Sequence, residues 1–329
     1  MRPRSAGPAL LMAPASERGD VVEGVCTSDE LAQADDPIDD TQACGPLSAI
    51  VVDRPRGGAS LAMFCDIAPS GRIGELVDRL WVSESEPAAG AERRLPTGRV
   101  ELVLNLDEDR LSIGGEGDRR VLRGCVVVGP MSRWFVLDRA QQRHVAGVCV
   151  RPGAVRALLG VSAHELAGRH VALEELWGSA VAELRERLRE APDGPARLLA
   201  LEEALGDRVG GREAAHPLLA AALSRLSDPA PETIREMGAA LGWTQRRVEQ
   251  VFRSEVGLAP AAFRRLQRFR VCLRAVDRAT EVGWSAFALE YGYCDQSHLI
   301  REFRSHCGLS PSGYMTARGP ALNHVTLAS

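Results

Sequence analysis

Two cysteines and two histidines lie within one short polar stretch of the sequence, and together they could bind a metal ion. They are Cys294, His298, His306 and Cys307. Zinc is held by thiolate and imidazole donors that converge on one point at about 2.0–2.3 Å. On a helix over 296–307, Cys307 falls on the apolar face and His298 on the opposite face, and His298 and His306 are roughly 12 Å apart along the axis. One helix therefore cannot bring these four residues to one metal ion, and a metal site here would need ligands from elsewhere.

The same helical period gives this stretch an inward and an outward face. The inward set is Leu299, Ile300, Phe303 and Cys307. The outward set is Ser297, His298, Arg301 and Ser305. Arginine, histidine and hydroxyl side chains are suited to base edges and phosphates in the grooves of DNA. The stretch therefore predicts a helix that buries one face and offers the other to nucleic acid.

The stretch also has an earlier copy in the chain. The segment "TQRRVEQVFRSEVGLAP" at 244–260 aligns with "DQSHLIREFRSHCGLSP" at 295–311, at an offset of 51 residues. Each copy begins with an N-cap residue type, follows a short apolar helix and a glycine-containing turn, and ends at a glycine suited to the position after a helix. In the first copy the inward residues are Val248, Phe252 and Val256, and the outward residues are Arg246, Arg247, Gln250 and Ser254. This repeat predicts two helix-turn-helix units.

The segment between the copies, "PAAFRRLQRFRVCLRAVDR" at 260–278, predicts a linker helix that begins at Pro260. About 17 residues of helix span roughly 25 Å, so the linker could hold the two units on successive major-groove segments, which lie about 34 Å apart. Its apolar stripe is Phe263, Leu266, Phe269 or Val271, and Leu273. Its arginines are Arg264, Arg265, Arg268, Arg270 and Arg274, which either contact DNA or form a solvated face.

Charge is unevenly distributed along the chain. Residues 1–60 carry ten acidic and five arginine side chains, a net of −5, whereas residues 229–318 carry thirteen arginines and nine acidic side chains, a net of +4. A basic C-terminal third on an acidic chain is typical of a module that binds a polyanion.

The repeated units resemble the DNA-binding domain of AraC/XylS-type bacterial transcription regulators. The resemblance covers 215–318, although Leu299 stands where these regulators usually have an aromatic residue and Met315 where arginine is common. It implies sequence-specific binding of double-stranded DNA by two recognition helices, with RNA polymerase, a small-molecule effector and a second copy of the chain as candidate partners. The predicted DNA-binding residues are Thr244, Gln245, Arg246, Arg247, Gln250, Arg253, Ser254, Arg268, Asp295, Gln296, Ser297, His298, Arg301, Arg304 and Ser305.

The N-terminal half has the pattern of a separate β-rich domain. Residues 61–205 begin with short β-rich runs closed by glycine and proline and continue as helices, so we predict a small β-barrel or sandwich with a helical extension. The chain is then an α+β multidomain protein whose all-α C-terminal domain holds the two helix-turn-helix units. We also expect a disordered leader at 1–60, a linker at 206–214 and a flexible tail at 319–329.

Two segments of this half, "RRLPTGRVELVLNL" and residues 145–178, resemble the uncharacterised, partly cupin-like domains that precede some of these DNA-binding domains. This resemblance implies a sensor or dimerisation role. Metal-binding cupins group histidines with a carboxylate, but here the strand region has only His144, with Glu101 as a distant candidate. Trp81, Trp134 and Phe135 either pack in a core or line a pocket.

Other classes of protein find little support in the sequence. There is no G-x-S-x-G, P-loop or H-E-x-x-H motif, so we expect no enzyme, no cofactor and no metal. No apolar run approaches the roughly 18 residues that span a bilayer, and the N-terminal "ALLMA" is shorter than the roughly 7–15 residues of a secretory signal, so we expect a cytoplasmic protein that does not bind a membrane.

Two alternatives stay open, each carrying the same DNA-binding module. One is a cupin-like enzyme that binds a small molecule. The other is a thiol or redox sensor that uses the cysteines of the N-terminal half, Cys26, Cys44, Cys65, Cys125 and Cys149.

Overall fold

A computed structural model of the chain describes residues 61–86, 88–115, 117–209, 216–227, 232–318 and 323–327. The predicted leader, 1–60, lies outside the described residues, as does the last part of the predicted linker, 210–214.

The N-terminal half is built from two antiparallel sheets. The larger has the strand order β1-β2-β9-β4-β7-β10 and the smaller the order β11-β3-β8-β5-β6. The strands are β1 (Leu61–Ile67), β2 (Val77–Ser85), β3 (Ala91–Arg94), β4 (Val100–Asn105), β5 (Arg110–Gly115), β6 (Asp118–Arg123), β7 (Cys125–Val128), β8 (Phe135–Asp138), β9 (His144–Val150), β10 (His170–Ala172) and β11 (His324–Thr326). Among the described strands the two edge strands of each sheet are not paired with each other, so neither sheet closes into a barrel. We predicted a barrel or a sandwich, and the structure confirms the sandwich.

Strand β4 shows why the larger sheet is covered on both faces. Leu102 and Leu104 are fully buried in a core that helices share, whereas Glu101 and Val103 point between the two sheets. Successive side chains of a strand alternate between faces. The helices that cover the outer face of the larger sheet are α1 (Gly71–Gly74), α2 (Val155–Leu159), α3 (Ala163–Leu166), α4 (Glu174–Trp177), α5 (Ala180–Glu190) and α6 (Gly194–Arg208).

The predicted linker, 206–214, begins too early. Helix α6 continues to Arg208, because Leu205 and Val209 are both buried in the core of the N-terminal half. The burial of an apolar side chain stabilises a helix more than the intrinsic preference of its last residues does.

The C-terminal half is helical and contains the two predicted helix-turn-helix units joined by a helix. Its helices are α7 (Leu219–Ser227), α8 (Ile234–Ala240), α9 (Gln245–Val251), α10 (Pro260–Arg278), α11 (Trp284–Glu290), α12 (Gln296–Cys307) and α13 (Pro311–Ala317). A π-helical segment, Phe252–Val256, continues α9. We call α8 and α9 the first unit, and α11 and α12 the second unit. Among the described residues no helix combines the length and the apolar character needed to cross a membrane.

The prediction of a flexible tail at 319–329 is wrong for the strand β11. This strand pairs with β3 of the N-terminal half, and its central residue, Val325, is fully buried. Val325 packs in the core of the C-terminal half, together with Leu95 from the loop after β3. All described residues lie in one compact unit of the chain, Asp40–Ser329.

Candidate DNA-binding surface and cavity

In the first unit, a tight turn and an N-cap fix the start of α9. Gly242 has a φ of +68°, and the backbone N–H of Trp243 donates to the carbonyl of Gly238 at 2.7 Å. The hydroxyl of Thr244 then accepts a hydrogen bond from the backbone N–H of Arg247 at 3.2 Å. The predicted N-cap is therefore confirmed, and it satisfies one of the donors that a helix start leaves open.

The second unit repeats this geometry with one residue more in its turn. Gly292 has a φ of +73°, and the N–H of Tyr293 donates to the carbonyl of Ala288 at 2.8 Å. The additional residue, Cys294, precedes Asp295, whose carboxylate accepts from the N–H of His298 at 2.6 Å. Asp295 is thus confirmed as the N-cap of α12, and its negative charge also suits the positive end of the helix dipole.

The predicted inward residues of both units form one core, except Ile300, which is half-buried and is not part of that core. Val248, Phe252, Leu299, Phe303 and Cys307 are all fully buried. The ring of Phe252 lies against that of Phe263, and the ring of Phe303 lies between those of Phe269 and Tyr314, with centroids 5.1 Å and 5.9 Å away. These contacts fix each second helix against α10.

The predicted DNA-binding residues are mostly exposed and lie on the outer faces of α9 and α12. The exposed ones are Thr244, Gln245, Arg246, Arg247, Gln250 and Arg253 in the first unit, and Asp295, Gln296, Ser297, Arg301, Arg304 and Ser305 in the second. Ser254 and His298 are half-buried: the hydroxyl of Ser254 donates to the carbonyl of Val251 at 3.2 Å, and the ring of His298 packs edge-on against Tyr293.

Arg268, the remaining predicted DNA-binding residue, has intramolecular partners. Its guanidinium donates to the carbonyl of Gly292 at 3.0 Å and to the carboxylate of Glu302 at 3.1 Å, and it lies over the ring of Tyr293. The side chain therefore joins α10 to the turn and the second helix of the second unit. A contact of Arg268 with DNA stays a prediction.

The four possible metal ligands of the opening stretch point to different places. Cys307 is in the core, Cys294 is exposed, and the ring nitrogen Nδ1 of His298 accepts from the N–H of Cys294. His306 is buried, with its ring 4.9 Å from that of Phe269. Within the described residues no cluster of three or more His, Cys, Asp or Glu side chains could hold a metal ion.

His306 has a role that the sequence did not show, because it binds the N-terminal half. Its Nδ1 lies 2.6 Å from the carbonyl oxygen of Ser132, and its own carbonyl accepts from the N–H of Trp134 at 3.1 Å. Burial lowers the pKa of His306, so the ring is neutral and its Nδ1–H donates to Ser132. No spacing in the sequence links His306 to a loop 174 residues earlier.

Both units touch the N-terminal half at the glycine that follows the second helix. Gly257 (φ +81°) leaves no room for a side chain, because a Cβ would lie 2.6 Å from Pro130 and 2.7 Å from the carbonyl oxygen of Ala163. Gly308 (φ +78°) lies equally close to Trp134, where a Cβ would be 2.5 Å from the indole nitrogen. The glycines predicted from the repeat as helix ends are therefore also close contacts between the two halves.

A cavity of about 420 Å³ lies between the two sheets. Trp81 and Phe135 line it from opposite sheets, whereas Trp134 packs at the interface with the C-terminal half. The cavity has the size of sites that bind small molecules. Arg270 of α10 and His324 of β11 also line it; the sequence pattern had placed Arg270 only among the arginines of the linker helix and had not indicated His324.

The structure separates the two residues of the cupin-like hypothesis. His144 Nδ1 lies 2.6 Å from the carboxylate of Asp107. Glu101 lines the cavity and accepts from the hydroxyl of Thr97 at 2.9 Å and from the guanidinium of Arg94 at 3.2 Å. His144 is not among the residues that line the cavity, so His144 and Glu101 do not share one site.

The described cysteines of the N-terminal half do not have the environment of a reactive thiol. Burial raises the pKa of both Cys125 and Cys149 to about 12, and burial also raises the pKa of Cys65. A redox-sensing thiol needs a lowered pKa and access to solvent. Cys26 and Cys44, the other two residues of that hypothesis, lie outside the described residues.

Two family models each match a part of the chain. Residues 237–317 match the model of a helix-turn-helix domain, and residues 66–172 match that of a domain of unknown function, DUF6597. The chain thus carries an AraC-type helix-turn-helix domain at its C-terminus. No curated protein matches the chain.

Solved structures that are similar to parts of this chain include three bacterial proteins. A transcriptional regulator with an AraC-type DNA-binding domain from Chromobacterium violaceum is 18% identical, with 32% of this chain and 94% of that chain covered and a TM-score of 0.30. A probable AraC family transcriptional regulator from Rhodopseudomonas palustris is 25% identical, with 31% and 93% covered and a TM-score of 0.26. ToxT from Vibrio cholerae is 10% identical, with 70% and 95% covered and a TM-score of 0.40.

Proposed function

We propose that this chain, a DNA-binding transcription regulator by its AraC-type helix-turn-helix domain, reads two successive major-groove segments of double-stranded DNA with α9 and α12. The N-terminal half binds an effector in the cavity between its sheets, and the bound effector modulates the binding of DNA. No catalytic step is part of the proposed function.

One observation carries the proposal: the two second helices expose equivalent positions. Gln250 and Arg301 are 51 residues apart, as are the two copies of the repeat, and both side chains are exposed. Glutamine is suited to the edge of adenine in the major groove and arginine to the edge of guanine. The arginines around them, with the backbone N–H groups at the two helix starts, supply contacts to phosphates.

The helix α10 gives the two units a fixed separation. Its 19 residues span roughly 28 Å. Phe263, near the start of α10, contacts Phe252 of the first unit, and Phe269, at its middle, contacts Phe303 of the second. A rod of this length suits two contacts on one face of DNA, since successive major-groove segments lie about 34 Å apart.

Contacts between the halves support a regulatory role for the N-terminal half. The N–H of Gly153 donates to the carbonyl of Glu255 at 2.9 Å in the first unit, and Trp134 donates to His306 in the second. A change in the N-terminal half can therefore alter the free energy of either unit. Coupling of this kind needs two sites and an element whose arrangement both of them influence.

The proposal is tested by mapping the DNA that the full chain binds in its genome and titrating one recovered segment against a scrambled segment at fixed salt. We expect the recovered segment to bind at least about 10³-fold more tightly. The variant Arg301→Ala should lose part of that preference, whereas Arg123→Ala, which removes an exposed arginine from β6, should keep it. Equal affinity of the wild type for both segments would contradict sequence-specific binding.

A further inference from the structure

One loop of the N-terminal half touches both helix-turn-helix units. It runs from Gly129 to Trp134, between β7 and β8, and we call it the bridging loop. Its Pro130 lies against Gly257, which follows the second helix of the first unit, and its Trp134 lies against Gly308, which follows the second helix of the second unit. The two glycines occupy equivalent positions in the repeat, so the loop meets both units at the same point of their structure.

The second unit is hydrogen-bonded to the bridging loop as well as packed on it. The Nδ1–H of His306 donates to the carbonyl of Ser132 at 2.6 Å, and the N–H of Trp134 donates to the carbonyl of His306 at 3.1 Å. His306 is buried and is the penultimate residue of α12. Rotation of α12 about its own axis would break this pair of bonds, because hydrogen bonds weaken steeply when they are bent.

The first unit is fixed from two sides. The N–H of Gly153 donates to the carbonyl of Glu255 at 2.9 Å, within the π-helical segment that continues α9. Gly257 lies between Pro130 of the bridging loop and the backbone of Ala163 in α3. A proline ring has a fixed φ, so neither neighbour can move aside as a long side chain does. The end of this helix is therefore held against the N-terminal half, as the end of α12 is.

The bridging loop is itself anchored to the segment that follows α3. The N–H of Gly129 donates to the carbonyl of Arg169 at 2.9 Å, and the N–H of Gly168 donates to the carbonyl of Pro130 at 3.1 Å. Gly129 has no room for a side chain, because a Cβ would collide with the carbonyl oxygen of Leu166. The loop and α3 therefore form one rigid element, and their contacts fix each unit relative to the other.

Apolar packing on α10 holds the second helices in place but directs them weakly. Phe303 packs on Phe269, and it lies about 10 Å from the start of α12 at 1.5 Å per residue. The hydrophobic effect has no preferred direction, whereas hydrogen bonds have one. A tilt of about 10° about Phe303 would move the start of α12 by about 2 Å, a large part of the roughly 3.4 Å between successive base pairs. The orientation of α12 therefore decides which base pair its side chains meet.

We propose that the bridging loop determines which spacing between two blocks of preferred bases the chain accepts, because it holds the second helices of both units in one relative orientation. Pro130, Trp134 and His306 are then positioning residues that act through α9 and α12. The reading of DNA by both units rests on the proposed function, whereas the fixed orientation of the units does not. Pre-organised helices also bind more tightly, because less freedom is lost when DNA orients them.

The orientation is tested first without DNA, by the distance between two nitroxide labels on the full chain. One label is attached to Cys294, which is exposed just before α12, and the other to Gln245→Cys at the start of α9. We expect one narrow distribution of distances between the two labels. The cysteines that are half-buried or lie outside the described residues are changed to serine so that they take no label: Cys26, Cys44 and Cys149.

Variants of the loop contact are then compared in this labelled chain. His306→Leu removes the donor to Ser132 and should broaden the distribution, whereas His306→Asn places an amide N–H near the position of Nδ1 and should restore it. Arg133→Ala changes an exposed side chain of the same loop and should leave the distribution narrow. An unchanged narrow distribution in His306→Leu combined with Trp134→Ala would show that α10 alone orients the units, and would overturn the proposal.

The consequence for DNA is tested with duplexes that carry the two blocks at the preferred spacing or one base pair further apart. The shift should weaken wild-type binding about tenfold, as one mismatched base pair does. In His306→Leu combined with Trp134→Ala the shift should weaken binding about threefold or less, while affinity for DNA with a single block is unchanged. If that variant bound every duplex more weakly but lost as much on the shift as the wild type, the loop would serve stability alone and the proposal would be wrong.

The two measurements separate this inference from the proposed function. If the proposed function fails, the wild type shows no preference between recovered and scrambled DNA, and the label distances still decide whether the loop orients the units. If the inference fails, the wild type and the loop variant read two blocks with the same spacing preference and show the same narrow distribution of label distances.

Discussion

The two helix-turn-helix units contain the same three residues at the same place, yet their helices end differently. Phe252, Arg253 and Ser254 of the first unit correspond to Phe303, Arg304 and Ser305 of the second. In the first unit the chain changes to a π-helix at Phe252, and the N–H of Gly257 donates to the carbonyl five residues earlier at 2.9 Å. In the second unit α12 stays an α-helix, and the N–H of Gly308 donates to the carbonyl four residues earlier.

The difference lies in what each helix end contacts. The π-helical segment packs against α3 of the N-terminal half, and its Glu255 accepts the N–H of Gly153. The second unit contacts the N-terminal half through the ring of His306 and through the backbone bond between His306 and Trp134, and it keeps regular winding. Single π-helical turns are rare and often mark functional sites. The shared residues thus wind differently in the two units, which differ both at the next two positions and in what they contact in the N-terminal half.

The largest expected effect is shared by both units. Phe252→Ala and Phe303→Ala each remove a fully buried ring, and each should lower the free energy of unfolding by about 3–5 kcal/mol. Urea unfolding of the full chain measures this loss. Wild-type stability in both variants would contradict the assignment of the core faces.

The next effect distinguishes the two units. Gly242→Ala, Gly257→Ala and Gly308→Ala all place a side chain at positive φ, which costs about 1–2 kcal/mol. Gly242 serves as the control, because nothing lies within 4 Å of its added Cβ. At Gly257 the added Cβ meets backbone of α3, which cannot move aside, so about 1–3 kcal/mol more should be lost.

Gly308→Ala should fall between these two variants in the same unfolding measurement, because the ring of Trp134 can rotate away from the added methyl group. Equal losses in all three variants would show that the two glycine contacts contribute nothing to the stability of the chain.

A smaller effect tests the chemistry of the two outer faces. Arg301→Ala should weaken discrimination at one base pair by about 1–3 kcal/mol, with guanine as the preferred base, and Gln250→Ala should do so at a different base pair, with adenine preferred. Titration of single-base variants of one recovered DNA segment measures both. If Arg301→Ala weakened binding to recovered and random DNA equally, Arg301 would contact only phosphate.

The smallest effect concerns the helix starts. Thr244→Ala and Asp295→Ala each remove an N-cap, which should cost about 0.5–2 kcal/mol of stability. The loss should be greater for Asp295, because its carboxylate also interacts with the helix dipole. A greater loss for Thr244, measured by thermal unfolding at low salt, would contradict this ranking.

The sequence predicted those parts of the fold that depend on local pattern. The period of Leu299, Phe303 and Cys307 defined a buried face, and the repeat at an offset of 51 located both N-caps and both terminal glycines. These features follow from helix geometry, which neighbouring residues determine.

The parts that the sequence did not predict depend on residues far apart in the chain. The strand that contains His324 pairs with β3, about 230 residues earlier, and Arg268 bonds to a turn 24 residues later. A three-residue strand has too little pattern to be recognised, and a charged helix face does not show which of its arginines meets a partner. The cavity likewise forms only when both sheets and β11 come together.

The most direct test of two units on one rigid helix is the spacing of their DNA contacts. A selected binding sequence should contain two blocks of preferred bases centred about 10–10.5 base pairs apart. Inserting five base pairs between the blocks turns the blocks to opposite faces of the duplex. The affinity of the chain for this DNA should then fall to its affinity for DNA in which one of the two blocks has been scrambled. Unchanged affinity after the insertion would contradict simultaneous reading by α9 and α12.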